Sequence, residues 1–193
     1  NNDMKILEKK QPIKLNKNLE LLDIGTLLIP YDKHYEGKTP FPIGYKVKRE
    51  YKKKKEWPKK YWFIAEIEKG EVGPIFKVSI LDSNEPASFT GSTPSQPWKL
   101  AFDYIESQIQ PTEKDNNNDN NENNENNENE DEKKHNVIGA TLYGLSMSRI
   151  LEIFKRLPNA SEYPSLKKAM MNDKFKPVDF KINLPMVPIP DHI

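Results

Sequence analysis

The chain of 193 residues carries 30 Lys and Arg against 29 Asp and Glu, with three His, no Cys and 35% hydrophobic residues, which describes one soluble domain with a polar burden. Zero Cys excludes disulfides and thiolate metal sites. No run of about 18 apolar residues occurs, which excludes a helical membrane span, and the opening NNDMKILEKK lacks the apolar stretch of a signal peptide. An intracellular location is expected, and the absence of an initiator Met suggests an excised domain.

The hydrophobic share lies below the usual value of roughly 45–50% because of one segment. Residues 115–132 are ten Asn and eight Asp or Glu, with no apolar side chain and no cation, so this tract is expected to be a disordered insert. Without its eight negative charges the formal charge rises from +1 to +9, so the near-neutral balance is a cancellation of opposites.

Along the chain, residues 1–18 mix Lys, Asn and Gln with few apolar side chains and predict a flexible, fraying N-terminal arm. Residues 19–30 (LELLDIGTLLIP) suit a buried strand that bends at Gly25 and ends at Pro30. Residues 45–51 alternate Tyr45, Val47, Arg49 and Tyr51 against Lys46, Lys48 and Glu50, a period of two that means strand. Residues 61–67 and 75–81 flank EKGEVGP, whose glycines and proline fit an antiparallel hairpin.

After a Ser, Thr and Pro stretch, Trp98, Ala101, Phe102, Ile105 and Ile109 fall at helical spacing, with Ser95 as a cap and Pro97 in the first turn. Met147, Ile150, Leu151, Phe154 and Leu157 repeat that stripe until Pro158 stops it, and residues 165–171 add another turn or two. The Pro-rich end, 172–193, is expected to be extended. Strands first and helices later, with connections too short for parallel crossovers, predict an α+β fold with an antiparallel sheet.

These landmarks carry a resemblance. Leu22-Asp23-Ile24-Gly25-Thr26, Pro42-Ile43-Gly44-Tyr45 and Arg49 resemble the N-terminal half of the FYR domain, named for its Phe and Tyr content. Gly73-Pro74-Ile75-Phe76-Lys77-Val78, Trp98, the run Gly139-Ala140-Thr141-Leu142-Tyr143-Gly144-Leu145, and Leu157-Pro158-Asn159-Ala160 resemble its C-terminal half. The resemblance covers residues 19–166, with the first half at about 19–67 and the second at about 68–166. Tyr143 stands where the family usually has Phe, Tyr163 where Cys is common and Leu166 where an aromatic is common, and the Asn-rich tract interrupts the second half.

The resemblance implies that the two halves are interlaced parts of one α+β module. It also implies hosts that are nuclear chromatin proteins, such as trithorax-type histone methyltransferases, JmjC demethylases and a transforming-growth-factor-beta-regulated nuclear protein. The module is not known as a catalyst, so the function it implies is noncatalytic docking of nuclear chromatin proteins or of other segments of the host chain, without cofactor or membrane.

Residues 46–60 hold nine Lys or Arg against Glu50 and Glu56, a net charge of +7, and Lys52, Lys53, Lys54, Lys55, Lys59 and Lys60 form its dense part. Such a run attracts phosphates or serves nuclear import, and its bland alternative is a solvated hairpin tip. The alternative function is therefore nucleic-acid binding through this segment.

His34, His135 and His192 lie in a loop, beside the acidic tract and near the end of the sequence, with no organised partner for base catalysis, and no HExxH or DxDxDG-type spacing is present. Gly139 and Gly144 echo a phosphate-loop spacing, but Leu145-Ser146 replace its Lys-Ser or Lys-Thr. Loop-closure entropy grows by only about 0.6 kcal/mol per doubling of loop length. Deleting residues 115–132 is therefore expected to leave the melting temperature nearly unchanged, checked by calorimetry on the full and shortened chains.

Overall fold

Alternation of apolar and polar side chains decides the central strands. On β3 (Lys46–Tyr51), β4 (Tyr61–Lys69) and β5 (Pro74–Ile80), Val47, Phe63, Ala65, Ile67, Phe76, Val78 and Ile80 turn to one face and are buried. Lys46, Lys48, Glu66, Glu68, Lys77 and Ser79 occupy the other face, as period two requires. The computed structural model describes residues 11–28, 40–109 and 139–172. Among these residues β1 (Ile13–Asn16), β2 (Leu19–Asp23), β3, β4, β5 and β6 (Ala87–Gly91) form one antiparallel sheet in sequence order. With α1 (Ser95–Gln108), α2 (Ser148–Phe154), a 3-10 turn at Ala160–Glu162 and α3 (Pro164–Asn172), the fold is α+β, as the sequence predicts.

Register fixes which side chains meet. Val47 opposes Ala65, Ala65 opposes Val78 and Val78 opposes Phe89, giving a continuous apolar row across four strands. Glu20, Lys48, Ile64, Ser79 and Ser88 form the neighbouring row on the opposite face. The turn from β4 to β5 closes with the Gly70 N–H donating to the Gly73 carbonyl at 2.9 Å, as the GEVGP chemistry implies.

Two strands differ from the sequence reading. The arm expected to fray through residue 18 instead joins the sheet at Ile13, which pairs with Leu21 and is 1% exposed. A tight turn makes this possible, with the Asn16 side chain accepting from the Asn18 N–H at 2.8 Å. Two apolar residues, Ile13 and Leu15, are too few for a periodicity signal, and pairing with β2 supplies the rest. The Ser, Thr and Pro stretch contains β6, a five-residue edge strand whose Ser88 hydroxyl lies 2.8 Å from that of Ser79.

The strand expected over 19–30 stops at Asp23. Its pairing resumes at the bridge between Thr26 and Ile43, where each N–H donates to the other's carbonyl at 2.8 and 2.9 Å. Helix α1 starts at Ser95 itself, with Pro94 at the cap position. The Gln96 side chain instead folds back on the preceding turn, accepting from the Ser92 N–H at 2.7 Å. Residues 1–10 of the expected arm, Pro30, the acidic tract 115–132 and residues 173–193 lie outside the described residues.

The core sits between the sheet's buried face and the helices. Trp98, Ala101, Phe102 and Ile105 of α1 are buried, and the Trp98 ring packs edge-on to Phe63 at 5.1 Å and to Tyr143 at 6.1 Å. Ile150, Ile153 and Phe154 of α2 and Leu166 of α3 complete it. Truncating a ring packed among aromatic neighbours leaves a cavity that they cannot fill. Trp98→Ala is expected to cost about 3–5 kcal/mol, measured by denaturant unfolding.

Candidate functional site

The segment 139–145 is where the second half of the chain enters the first. Residues 139–142 are helical and a tight turn follows, in which the carbonyls of Gly139, Ala140 and Thr141 accept from the N–H groups of Tyr143, Leu145 and Gly144, and those of Leu142 and Tyr143 are left for other donors. Side chains from the N-terminal half supply the donors. Arg49 of β3 donates through Nε to the Leu142 carbonyl and through a terminal nitrogen to the Thr141 carbonyl at 3.1 Å. The Tyr45 hydroxyl donates to the Tyr143 carbonyl at 2.7 Å, inside the core.

The exchange runs both ways. The Tyr143 hydroxyl, 3.1 Å from the Glu66 carbonyl of β4 and 3.2 Å from the Lys77 carbonyl of β5, donates into the seam between the two central strands. Its ring packs edge-on to Phe76 at 5.9 Å. Gly144, at φ +75, occupies the left-handed region, and a Cβ there would stand 2.8 Å from the Leu19 side chain. Gly139 lies flat against the start of α1, where a Cβ would meet Ser95 atoms at 2.5–2.7 Å.

Most of the motif residues converge here. Gly25 and Gly44 stack backbone to backbone at the entry to β3, beside Tyr45, and the Tyr45 N–H donates to the Pro42 carbonyl at 3.2 Å. Phe76, Trp98, Gly139, Tyr143, Gly144 and Leu145 close around the inserted segment, and all but Gly139 and Gly144 are large core side chains with at most 1% exposure. Gly73 and Pro74 lie apart, at the β4–β5 turn. Leu157 is buried beyond α2, and Pro158 is exposed on the following turn. There Asn159, at φ +68, donates from its side chain to the Leu27 carbonyl at 3.2 Å, and Tyr163 reaches the Leu28 carbonyl at 3.1 Å.

The geometry is that of two interleaved halves, and comparison with known families agrees. The family pattern described as F/Y-rich N-terminus matches residues 10–70, and that described as F/Y rich C-terminus matches residues 73–168. The chain belongs to the FYR family. The N-terminal match starts earlier than the resemblance read from residue 19 and takes in β1. No curated protein matches the chain closely enough to count as a relative. FYR domains are noncatalytic modules of chromatin-associated nuclear proteins.

The basic run divides in the FYR fold. Arg49 leaves it for the interlock, Lys46 pairs with Glu66 at 3.3 Å on the sheet face, and the Lys48 ammonium sits 4.9 Å over the Trp62 ring. The remaining lysines lie on the β3–β4 loop, held down by Trp57. Its ring is 3% exposed and packs edge-on to Tyr61 at 5.5 Å and Phe102 at 5.6 Å. Glu106 of α1 faces Lys54 at 3.1 Å and Lys53 at 3.6 Å, and Lys60 faces Glu50 at 3.9 Å. Sequence reading missed Glu106 and the anchoring role of Trp57. A single Trp amid lysines was the available signal.

Among the described residues no cluster of three or more His, Cys, Asp or Glu could hold a metal, and no helix is long and apolar enough to cross a membrane. The displaced acidities at the interlock are structural. Burial pushes the Tyr45 and Tyr143 hydroxyls far above the ordinary tyrosine value, outweighing at Tyr45 the positive charge of Arg49 beside it. Both groups hold their protons more tightly folded than unfolded. Their contribution to stability is therefore whole below about pH 10 and is lost as pH rises beyond it toward the folded values. In an alkaline titration, phenolate absorbance from these two tyrosines should emerge only together with loss of circular dichroism. Full titration of every tyrosine with the fold intact would contradict the interlock.

Proposed function

We propose that this FYR domain is a noncatalytic protein-interaction module of a nuclear, chromatin-associated host protein. In that role it docks other proteins or other segments of its host and supports a histone-modifying or transcription-regulating complex. Any methyltransferase or demethylase chemistry then belongs to another part of the host.

The observation that carries this reading is the reciprocal interlock between residues 45–49 and 139–145 within the family's two matched halves. Its strongly perturbed hydroxyls are buried and direct their only protons to backbone carbonyls, a structural use of those protons. What such a fold offers a partner is a rigid surface on which loops and edges keep fixed positions.

Affinity purification of the tagged chain from nuclear extract, with nuclease present, tests the reading by mass spectrometry. Histone-modifying or transcription-regulating proteins are expected to be retained after nuclease. Recovery indistinguishable from a tag-only control would contradict it.

A further inference from the structure

We infer that the ridge formed by Lys52, Lys53, Lys54 and Lys55 is a contact surface for the phosphate backbone of double-stranded nucleic acid, read without regard to base sequence. This goes beyond the protein-docking reading and does not depend on it.

Charge excess is the first observation. Elsewhere on the sheet lysines alternate with carboxylates and are neutralised locally, as in Lys46 with Glu66 and Lys77 with Glu68 at 3.6 Å. On the ridge, Glu106 faces only Lys53 and Lys54 of four consecutive lysines, and the loop's own carboxylate, Glu56, follows them. Lys52 and Lys55 have no ion-pair partner among the described residues. Two to three positive charges are left over in one place, and that is what a polyanion requires.

Presentation is the second. Trp57 pins the loop to Phe102 and Tyr61, the Trp57 N–H donates to the Lys54 carbonyl at 3.2 Å, and the Lys53 ammonium lies 5.5 Å over the Phe102 ring. Helix α1 has no basic residue in its last turn, so Lys53 and Lys54 supply the cations that its negative end favours. The ridge is therefore built before any ligand arrives, and little ordering entropy is lost on contact.

The third observation selects the duplex. Single-strand binders stack bases on exposed rings. Here Trp57 is buried, Tyr51 stacks on Phe102 at 5.7 Å, and Tyr61 lies beneath the Lys59 ammonium at 5.1 Å. Among the described residues no free aromatic face stands on the ridge, and lysines without Arg or Asn beside them contact phosphates rather than base edges. On the far side of the loop, Lys59 shares a cleft with Asp82 and Glu85, which turns phosphate away from that side and toward residues 52–55.

The test is fluorescence anisotropy of the full chain with two labelled duplexes of unrelated sequence and with a single strand of equal length, across a salt series. Both duplexes should bind equally and better than the single strand, with log affinity falling against log salt at a slope of about −2 to −3. Lys52→Gln with Lys55→Gln should lower low-salt affinity at least about tenfold and flatten the slope by about two, whereas Lys77→Gln on the sheet face should change neither. Should the double variant melt early, Lys55→Gln alone, at an exposed position, should flatten the slope by about one. A wild-type slope shallower than about −1, undiminished binding by the ridge variants, an equal loss in Lys77→Gln, or tighter binding of the single strand overturns the proposal.

Discussion

The fold depends on finding donors for the carbonyls of Leu142 and Tyr143. The last carbonyls of a helical segment have no partner within it, and Leu142 and Tyr143 are buried where water cannot reach. A buried unpaired carbonyl costs about 1–3 kcal/mol, and a hydrogen bond to a charged donor contributes about 1.5–3 kcal/mol. Arg49 and Tyr45 therefore determine whether the insertion is favourable at all. Both come from the other half of the chain, more than 90 residues away in sequence. Tyr143 returns the exchange at the β4–β5 seam, so neither half is complete without the other.

That seam is also the boundary between the two family halves. Strand β4 closes the first and β5 opens the second, and seven residue pairs join them from Phe63 with Ile80 to Lys69 with Pro74. The sheet alone would leave Phe63, Ala65, Ile67, Phe76 and Val78 with one apolar face in water. Helix α1 and the inserted segment cover that face, with Trp98 touching Phe63 on the sheet and Tyr143 on the segment. Hydrophobic burial thus drives the layers together, and the tyrosine and arginine hydrogen bonds specify how the segment enters.

The sequence made legible whatever depends on local periodicity. The alternation of β3 to β5, the Gly and Pro turn between β4 and β5, and the Trp98 to Ile105 stripe each arise within a dozen or so residues, where side-chain period mirrors burial. Strands β1 and β6 escaped because an edge strand of four or five residues carries one or two apolar side chains and takes its definition from the neighbour it pairs with. Arg49 is a landmark of the family resemblance, but its role escaped for a different reason. It sits among lysines and adds to the same charge count, and its pairing with carbonyls 92 and 93 residues away is what reveals that role. A guanidinium can serve two carbonyls from one fixed plane, which an ammonium cannot do as well, so the one arginine in that run occupies the position requiring it.

The lysine loop poses the opposite question, since like charges crowded together should splay apart. Two unit charges about 8 Å apart in water repel by roughly 0.5 kcal/mol, so the several pairs on the loop amount to a few kcal/mol before salt screening. Against this stands Trp57. Burying an aromatic ring of about 150–250 Å² at about 25 cal/mol per Å² gives roughly 4–6 kcal/mol as an upper bound. The Trp57 indole N–H finds no acceptor among the described residues, which takes back about 1–3 kcal/mol. The anchor and the repulsion are then of similar size, and the carboxylates tip the balance. Desolvation pushes the Glu106 carboxyl up, yet Lys54 and Lys53 outweigh it and hold the group below its usual range, charged and facing the loop. An anion laid along the ridge would act in the same sense as Glu106, so the charge that makes the loop costly to fold is the charge that makes it receptive.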